Sequence, residues 1–216
     1  MPMHAQALLL VGAVAGVGVL HTIMPDHWVP IMLMARERSW SPSGTARAAL
    51  QAGAGHVLST LAIGIIVWIA GVAFARRFGA LVDLAASAAL IAFGVCFAVA
   101  GWREIRRGPA PHSHGETDAH GHQSSGRTGL LLILGSSPMV EGLPAFFAAA
   151  RYGFALIVLM GLVFAASTIA TYVLLCVSSA AGLGRVRLGA LERYGEVLSG
   201  SLIALIGIAF ALLPAL

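Results

Sequence analysis

The chain has 216 residues, 58% of them hydrophobic and 10% charged, with a mean hydropathy of +0.88 and a formal net charge of +4 at pH 7. That is more apolar surface than a soluble domain of this size needs, so the composition points to an integral membrane protein. All thirteen basic residues are arginines dispersed between hydrophobic stretches, which argues against a nucleic-acid partner, and the absence of lysine excludes a Walker A loop and a retinal Schiff base.

The first apolar stretch runs from Ala5 to Ala35. It lacks a basic leader and carries His21-Thr-Ile-Met-Pro25-Asp26-His27, so it reads as a retained span rather than a cleaved signal peptide. Placing His21, Asp26 and His27 in hydrocarbon is costly, which makes them the expected working site. Pro25 and Pro30 cannot donate to the carbonyls of His21 and Asp26 and are expected to break the helix there. His21 and His27 are six residues apart, about 240 degrees around an ideal helix, so they share a face only if Pro25 unwinds the turn. Ahead of this span, loss of the first methionine would leave Pro2-Met3-His4, a terminal amine, two amides and an imidazole able to hold Ni2+ or Cu2+, although an ordinary polar terminus is the favoured reading.

Spans two and three are expected over Ala48–Ala75 and Ala80–Trp102, each near the twenty residues a crossing needs. Span two carries Gly53-Ala-Gly55-His56-Val-Leu-Ser59-Thr60, where the small residues allow a close approach to span one and His56 supplies a third imidazole. Asp83, after Arg76 and Arg77, reads as a helix-end charge. Cys96 and Cys176 lack a Cys-x-x-Cys spacing and read as small buried hydrophobes rather than a redox pair. Met24, Met32, Met34 and Met139 read as core filling.

Residues 103–128 change character to Pro, Gly, Ser and His, and include His112, His114, His120 and His122 with Glu116 and Asp118. The segment reads as a flexible polar loop able to capture borderline divalent ions, separate from the transport site. It divides the chain into a first half, 1–102, and a second half, 129–216.

The second half is expected to cross at Gly129–Ala150, Gly153–Gly182 and Val197–Leu213. With three spans on each side of the loop, the halves enter the membrane in opposite senses, the arrangement of inverted-repeat transporters with broken helices at mid-membrane. Span four carries Gly135-Ser-Ser-Pro138-Met-Val-Glu141-Gly-Leu-Pro144, two prolines around an acid like those of span one, and span five carries Ser167-Thr168-Ile-Ala-Thr171. Glu141 is expected to face the interior as a carboxylate behind a ligand, as a proton carrier, or as a ligand in another state of the protein. The fold class expected is therefore an all-α membrane protein with six transmembrane helices in a 3+3 inverted repeat, broken in helices one and four. Ten arginines lie beside the loops after spans one, three and five, against three on the other side. The positive-inside rule then places the His-rich loop in the cytoplasm and both termini outside it, in a plasma-membrane, multi-pass protein.

The His21-x4-Asp26-His27 pattern in the first span, Gly55-His56 in the second, the His-rich third loop and Glu192-Arg193-Tyr194-Gly195-Glu196 before Ser199-Gly200 resemble the nickel/cobalt transporter superfamily, including its NicO and urease-accessory-type permeases. The resemblance covers most of the chain and implies that His21, Asp26 and His27 select the metal with His56 in support. The chain is shorter than the eight-helix nickel permeases, and has Ser-Pro-Met-Val-Glu-Gly where those carry an Asp-Thr-Ala-Thr-Glu-like sequence. The expected function is transport of a divalent transition metal, Ni2+ or Co2+, coupled to protons and leaning to efflux. The metal is cargo, and no cofactor and no catalysis are expected. Imidazoles with a carboxylate suit these ions better than Ca2+ or Mg2+, which take all-oxygen shells. The alternatives are a metal-sensing or assembly subunit centred on the loop, and a membrane metalloenzyme, which would need a ligand-plus-base pattern such as His-Glu-x-x-His.

Overall fold

The computed structural model describes residues 2–79, 81–107, 139–180 and 189–212, the side chains of residues 2–4, 25, 26 and 189–192 excepted. These residues form helices and turns, with no strand among them. The helices are α1 (Pro2–Ile23), α2 (Pro25–Glu37), α3 (Pro42–Phe78), α4 (Leu81–Arg107), a short α5 (Leu143–Ala148) running into a 3-10 turn at Ala149–Arg151, α6 (Phe154–Ala180) and α7 (Gly189–Leu212). Five of them are long and apolar enough to cross a membrane: Ala5–Ile23 of α1, α3, α4, α6 and Arg193–Leu212 of α7. Large side chains such as Leu8, Leu58, Leu84, Leu162 and Leu174 point outward on these helices, a surface suited to lipid rather than water. The expected fourth span falls in large part on residues outside the described set; its described end is a turn followed by α5 and the 3-10 turn.

The first stretch divides where Pro25 dictates. Met24 is extended at φ −62° and ψ 136°, its N–H closes a tight turn onto the His21 carbonyl at 3.1 Å, and Pro25 opens α2 at the first helical position. Pro30, expected to break the chain as well, sits inside α2 without ending it. A proline one turn into a helix leaves only one carbonyl, that of Asp26, without its usual donor. Helix α3 starts earlier than its apolar core, because Ser41 caps it by accepting from the Gly44 N–H at 3.2 Å and Pro42 occupies the first turn. Gly79, at φ +56°, turns the chain from α3 into α4.

Helices α4 and α7 pack backbone to backbone. A Cβ placed on Gly94 would lie 2.4 Å from the Ala204 nitrogen, and one on Gly200 would lie 2.4 Å from the Ala98 nitrogen. Neither site can hold a side chain, which is how small residues bring membrane helices together. Helix α6 lies against α1, α2 and α3 through Phe164, Tyr172 and Cys176, all buried. Cys176 thus fills the core as expected, whereas Cys96 is exposed on α4 and faces away from the bundle. Both cysteines are free.

The ends of the helices are tied by polar contacts. Where α1 and α4 begin and α7 ends, Arg151 pairs with Asp83, and the Tyr152 hydroxyl donates to the Gln6 side-chain oxygen. Asp83 is thus a helix-end charge, as its position predicts. Burial pushes the Tyr152 phenol above its ordinary pKa, with Arg151 pulling the other way, so the hydroxyl keeps its proton and its role as donor. At the opposite end, Arg36 of α2 donates to the Ser179 carbonyl at 2.7 Å, satisfying the last turn of α6.

Candidate metal site at the broken helix

The break brings His21 and His27 together. His21 occupies the last turn of α1 and His27 the first turn of α2, and the reversal at Met24 turns their rings toward one another, with Nε2 to Nε2 at 2.9 Å. His56 approaches from α3. Its ring lies parallel to that of His21, with centroids 5.4 Å apart, and 5.1 Å from that of His27. Gly53, one turn before His56, faces α6 rather than span one, and a Cβ there would make only ordinary contact, 3.6 Å from Ile169.

Glu141 completes the group from the other half of the chain. Its Oε1 accepts from Nδ1 of His21 at 2.9 Å, across 120 residues of sequence. His56 is 1% exposed, Glu141 5% and His27 6%, and the His21 side chain is 13% exposed, so three of the four groups are buried and His21 is partly open. A carboxylate accepts only, hence Nδ1 of His21 carries a proton. The Nε2 lone pair of a neutral His21 then faces Nε2 of His27, which must be the donor. The result is a chain from carboxylate to imidazole to imidazole. Such an acid behind a histidine fixes its tautomer and makes its other nitrogen a better ligand. Oε2 of Glu141 is buried with no hydrogen-bond partner among the described residues.

Neighbouring groups hold these four side chains in place. Trp28 Nε1 donates to the Ile23 carbonyl at 3.1 Å, capping an acceptor that the break leaves without its helical donor. The Tyr172 hydroxyl donates to the His27 carbonyl at 2.9 Å, and Cys176 Sγ sits 3.8 Å from the Trp28 carbonyl, so α6 lines the start of α2 with donors. The Thr60 hydroxyl accepts from the Met139 N–H at 2.9 Å, anchoring the turn that carries Glu141. The Ser59 hydroxyl donates to the His56 carbonyl at 2.9 Å. Met139 is buried in the core, as its reading as a filler requires.

The structure therefore gathers His21, His27, His56 and Glu141. Asp26 follows Pro25 in the first turn of α2, with its side chain outside the described atoms. His112, His114, His120 and His122 lie outside the described residues, as do residue 1 and the side chain of His4. Among the described residues no group of three or more His, Cys, Asp and Glu is arranged to hold a metal ion as it stands. The physical reason is visible in the contacts: the imidazole nitrogens of His21 and His27 turn on each other and on Glu141 rather than on a common point.

Sequence reasoning misses Tyr172 and Trp28, and it names Thr60 only within the run from Gly53. Phe164, Thr168, Tyr172 and Cys176 recur every four residues on α6, the spacing of one helix face, and that periodicity was available as a signal. Nothing local to Trp28 or Thr60 announces their partners. No protein-family model, curated protein or solved structure matches this chain.

Proposed function

We propose that the chain is a membrane permease for a divalent transition-metal ion, Ni2+ or Co2+, which passes through the His21, Asp26, His27 and His56 cluster. The observation that carries this reading is the hydrogen-bonded line from Glu141 to His21 to His27, buried beside His56. Apolar membrane helices place such groups at depth only at a cost, and a run of imidazoles backed by a carboxylate is a ligand set. The resemblance of His21-x4-Asp26-His27 and Gly55-His56 to the nickel/cobalt transporter superfamily points the same way.

Octahedral and square-planar shells suit Ni2+, whereas Zn2+ in protein sites prefers a tetrahedral one. An entering ion must displace the proton shared between the two Nε2 atoms, and Glu141 is the neighbouring carboxylate able to exchange it. Metal movement is thus coupled to proton movement in the reverse sense.

The proposed framework is six spans in two inverted halves. Two features support it. The sequence Gly94-x3-Ala98-x2-Gly101 on α4 recurs as Gly200-x3-Ala204-x2-Gly207 on α7, and the two pack reciprocally, Gly94 against Ala204 and Gly200 against Ala98. Gly53-x5-Ser59-Thr60 on α3 recurs as Gly161-x5-Ser167-Thr168 on α6, and again the contacts are reciprocal, Gly53 against Ile169 and Gly161 against Leu61. A two-fold relation between halves produces this pattern. By it, Phe164 stands where the first half has His56, so the pair of halves carries one imidazole cluster rather than two. A cytoplasmic His-rich loop would collect ions for efflux.

Flux of Ni2+ and Co2+ into proteoliposomes holding only this chain tests the reading. Wild type should transport, and His21→Ala, Asp26→Ala and His27→Ala should each abolish flux while inserting normally. Near-normal flux in all three variants would remove the site from the pathway.

A further inference from the structure

Helices α4 and α7 run antiparallel and end together, where Gly101 packs on Glu196 and Val197; a Cβ on Gly101 would lie 2.7 Å from that of Glu196. The next turns beyond this contact therefore lie side by side. They carry Arg103, Arg106 and Arg107 on α4 and Arg193 on α7, all exposed. The Arg106 guanidinium lies 5.4 Å from the centre of the Trp102 ring, and that of Arg193 lies 5.7 Å from the Tyr194 ring. Of the acids described there, Glu104 is exposed and Glu196 half-buried, so among the described side chains this end carries four guanidiniums and two carboxylates.

We infer that this end of the α4–α7 pair binds the phosphate headgroup of an anionic phospholipid. Guanidinium presents a planar fork of donors that matches phosphate oxygens, and stacking on Trp102 and Tyr194 holds two of the forks in place. Amphipathic aromatics belong at headgroup level, and clustered arginines just beyond a span bind anionic lipid there. Free phosphate would use the arginines alone. A lipid also uses what lies one and two turns deeper on the same helices: Val99, Val95 and Leu198 are outward-facing and apolar, offering its acyl chains a continuous surface. The inference does not depend on the metal reading, since none of these residues takes part in the histidine cluster.

The test is native mass spectrometry of the detergent-solubilised full chain, titrated with phosphatidylglycerol, phosphatidylcholine or inorganic phosphate. Wild type should retain phosphatidylglycerol at least tenfold better than phosphatidylcholine, and millimolar inorganic phosphate should not displace it. Replacing Arg103, Arg106, Arg107 and Arg193 together by Gln should erase the preference. Arg76→Gln with Arg77→Gln, at the far end of α3, should leave it intact. If the fourfold variant fails to fold, Arg106→Gln and Arg193→Gln singly should each weaken retention about fivefold, the effect of one arginine near an anionic surface. Equal retention of the two lipids, displacement by inorganic phosphate, or an unchanged preference in the arginine variants would overturn the inference.

Discussion

Replacing Glu141 by Gln isolates what the carboxylate contributes to the histidine cluster. The substitution keeps the length of the side chain and leaves an oxygen able to accept from Nδ1 of His21, now 2.9 Å from Oε1, but it removes the charge. Two consequences follow. His21 loses the anion that raises the basicity of its Nε2, and the amide can turn its NH2 toward Nδ1, which would place the proton on Nε2, the wrong nitrogen for binding a metal. Loss of a carboxylate behind a ligand histidine typically weakens metal binding by about 10- to 100-fold, or about 1.4–2.7 kcal/mol. Glu141 is 5% exposed, so salt and water screen little of its charge, and the upper half of that range is expected. Calorimetric titration of Ni2+ into the purified variant measures it, with circular dichroism confirming an intact helical fold. An affinity within about twofold of wild type would refute the role of Glu141 as the group that orients His21.

Three other outcomes follow from the contacts. Gly94→Ala would force a Cβ to 2.4 Å from the Ala204 backbone nitrogen, where no rotamer offers relief, so thermal unfolding in detergent should report a loss of about 3 kcal/mol, the top of the usual overpacking range. Gly200→Ala should cost as much, because its contact with Ala98 is the mirror of the first, whereas Gly12→Ala, with nothing within 4 Å among the described residues, should be tolerated. Tyr172→Phe removes the hydroxyl that donates to the His27 carbonyl and should cost about 1 kcal/mol of stability and several-fold in Ni2+ affinity, read by the same unfolding and calorimetric measurements. Replacing His112, His114, His120 and His122 together by Ser should lower apparent affinity or alter regulation without stopping flux; complete loss of flux in proteoliposomes would make the loop part of the pathway.

What the sequence discloses here follows from how local each signal is. Pro25 is a local signal, and it places the break between α1 and α2 correctly, because a missing N–H acts within its own turn. Pro30 carries the same signal without the same effect, since packing of α2 against α6 outweighs one absent hydrogen bond. The approach of His27 to His21 could be inferred from the break. Its geometry could not, because ring orientation depends on Glu141, 120 residues away, and on a carbonyl contact from Tyr172. Span ends shift for a comparable reason. Hydropathy locates the part of a helix that lies in hydrocarbon, whereas α3 begins at Pro42 and α7 at Gly189, where capping and charged turns continue the helix beyond it. The recurrence of Gly-x3-Ala-x2-Gly in α4 and α7 was present in the letters, but three small residues acquire meaning only when the backbones are seen to touch.

The central claim is that imidazoles at the broken helix bind a divalent transition metal. X-ray absorption at the nickel edge tests it most directly, on Ni2+-loaded chain in which His4, His112, His114, His120 and His122 have been replaced by Ser, so that His21, His27 and His56 are the only imidazoles left. The account predicts one bound ion with at least two imidazole ligands at about 2.0–2.1 Å in a six-coordinate or square-planar shell, lost in His21→Ala and His27→Ala. Absence of bound nickel, or nickel surrounded by oxygen alone, would contradict it.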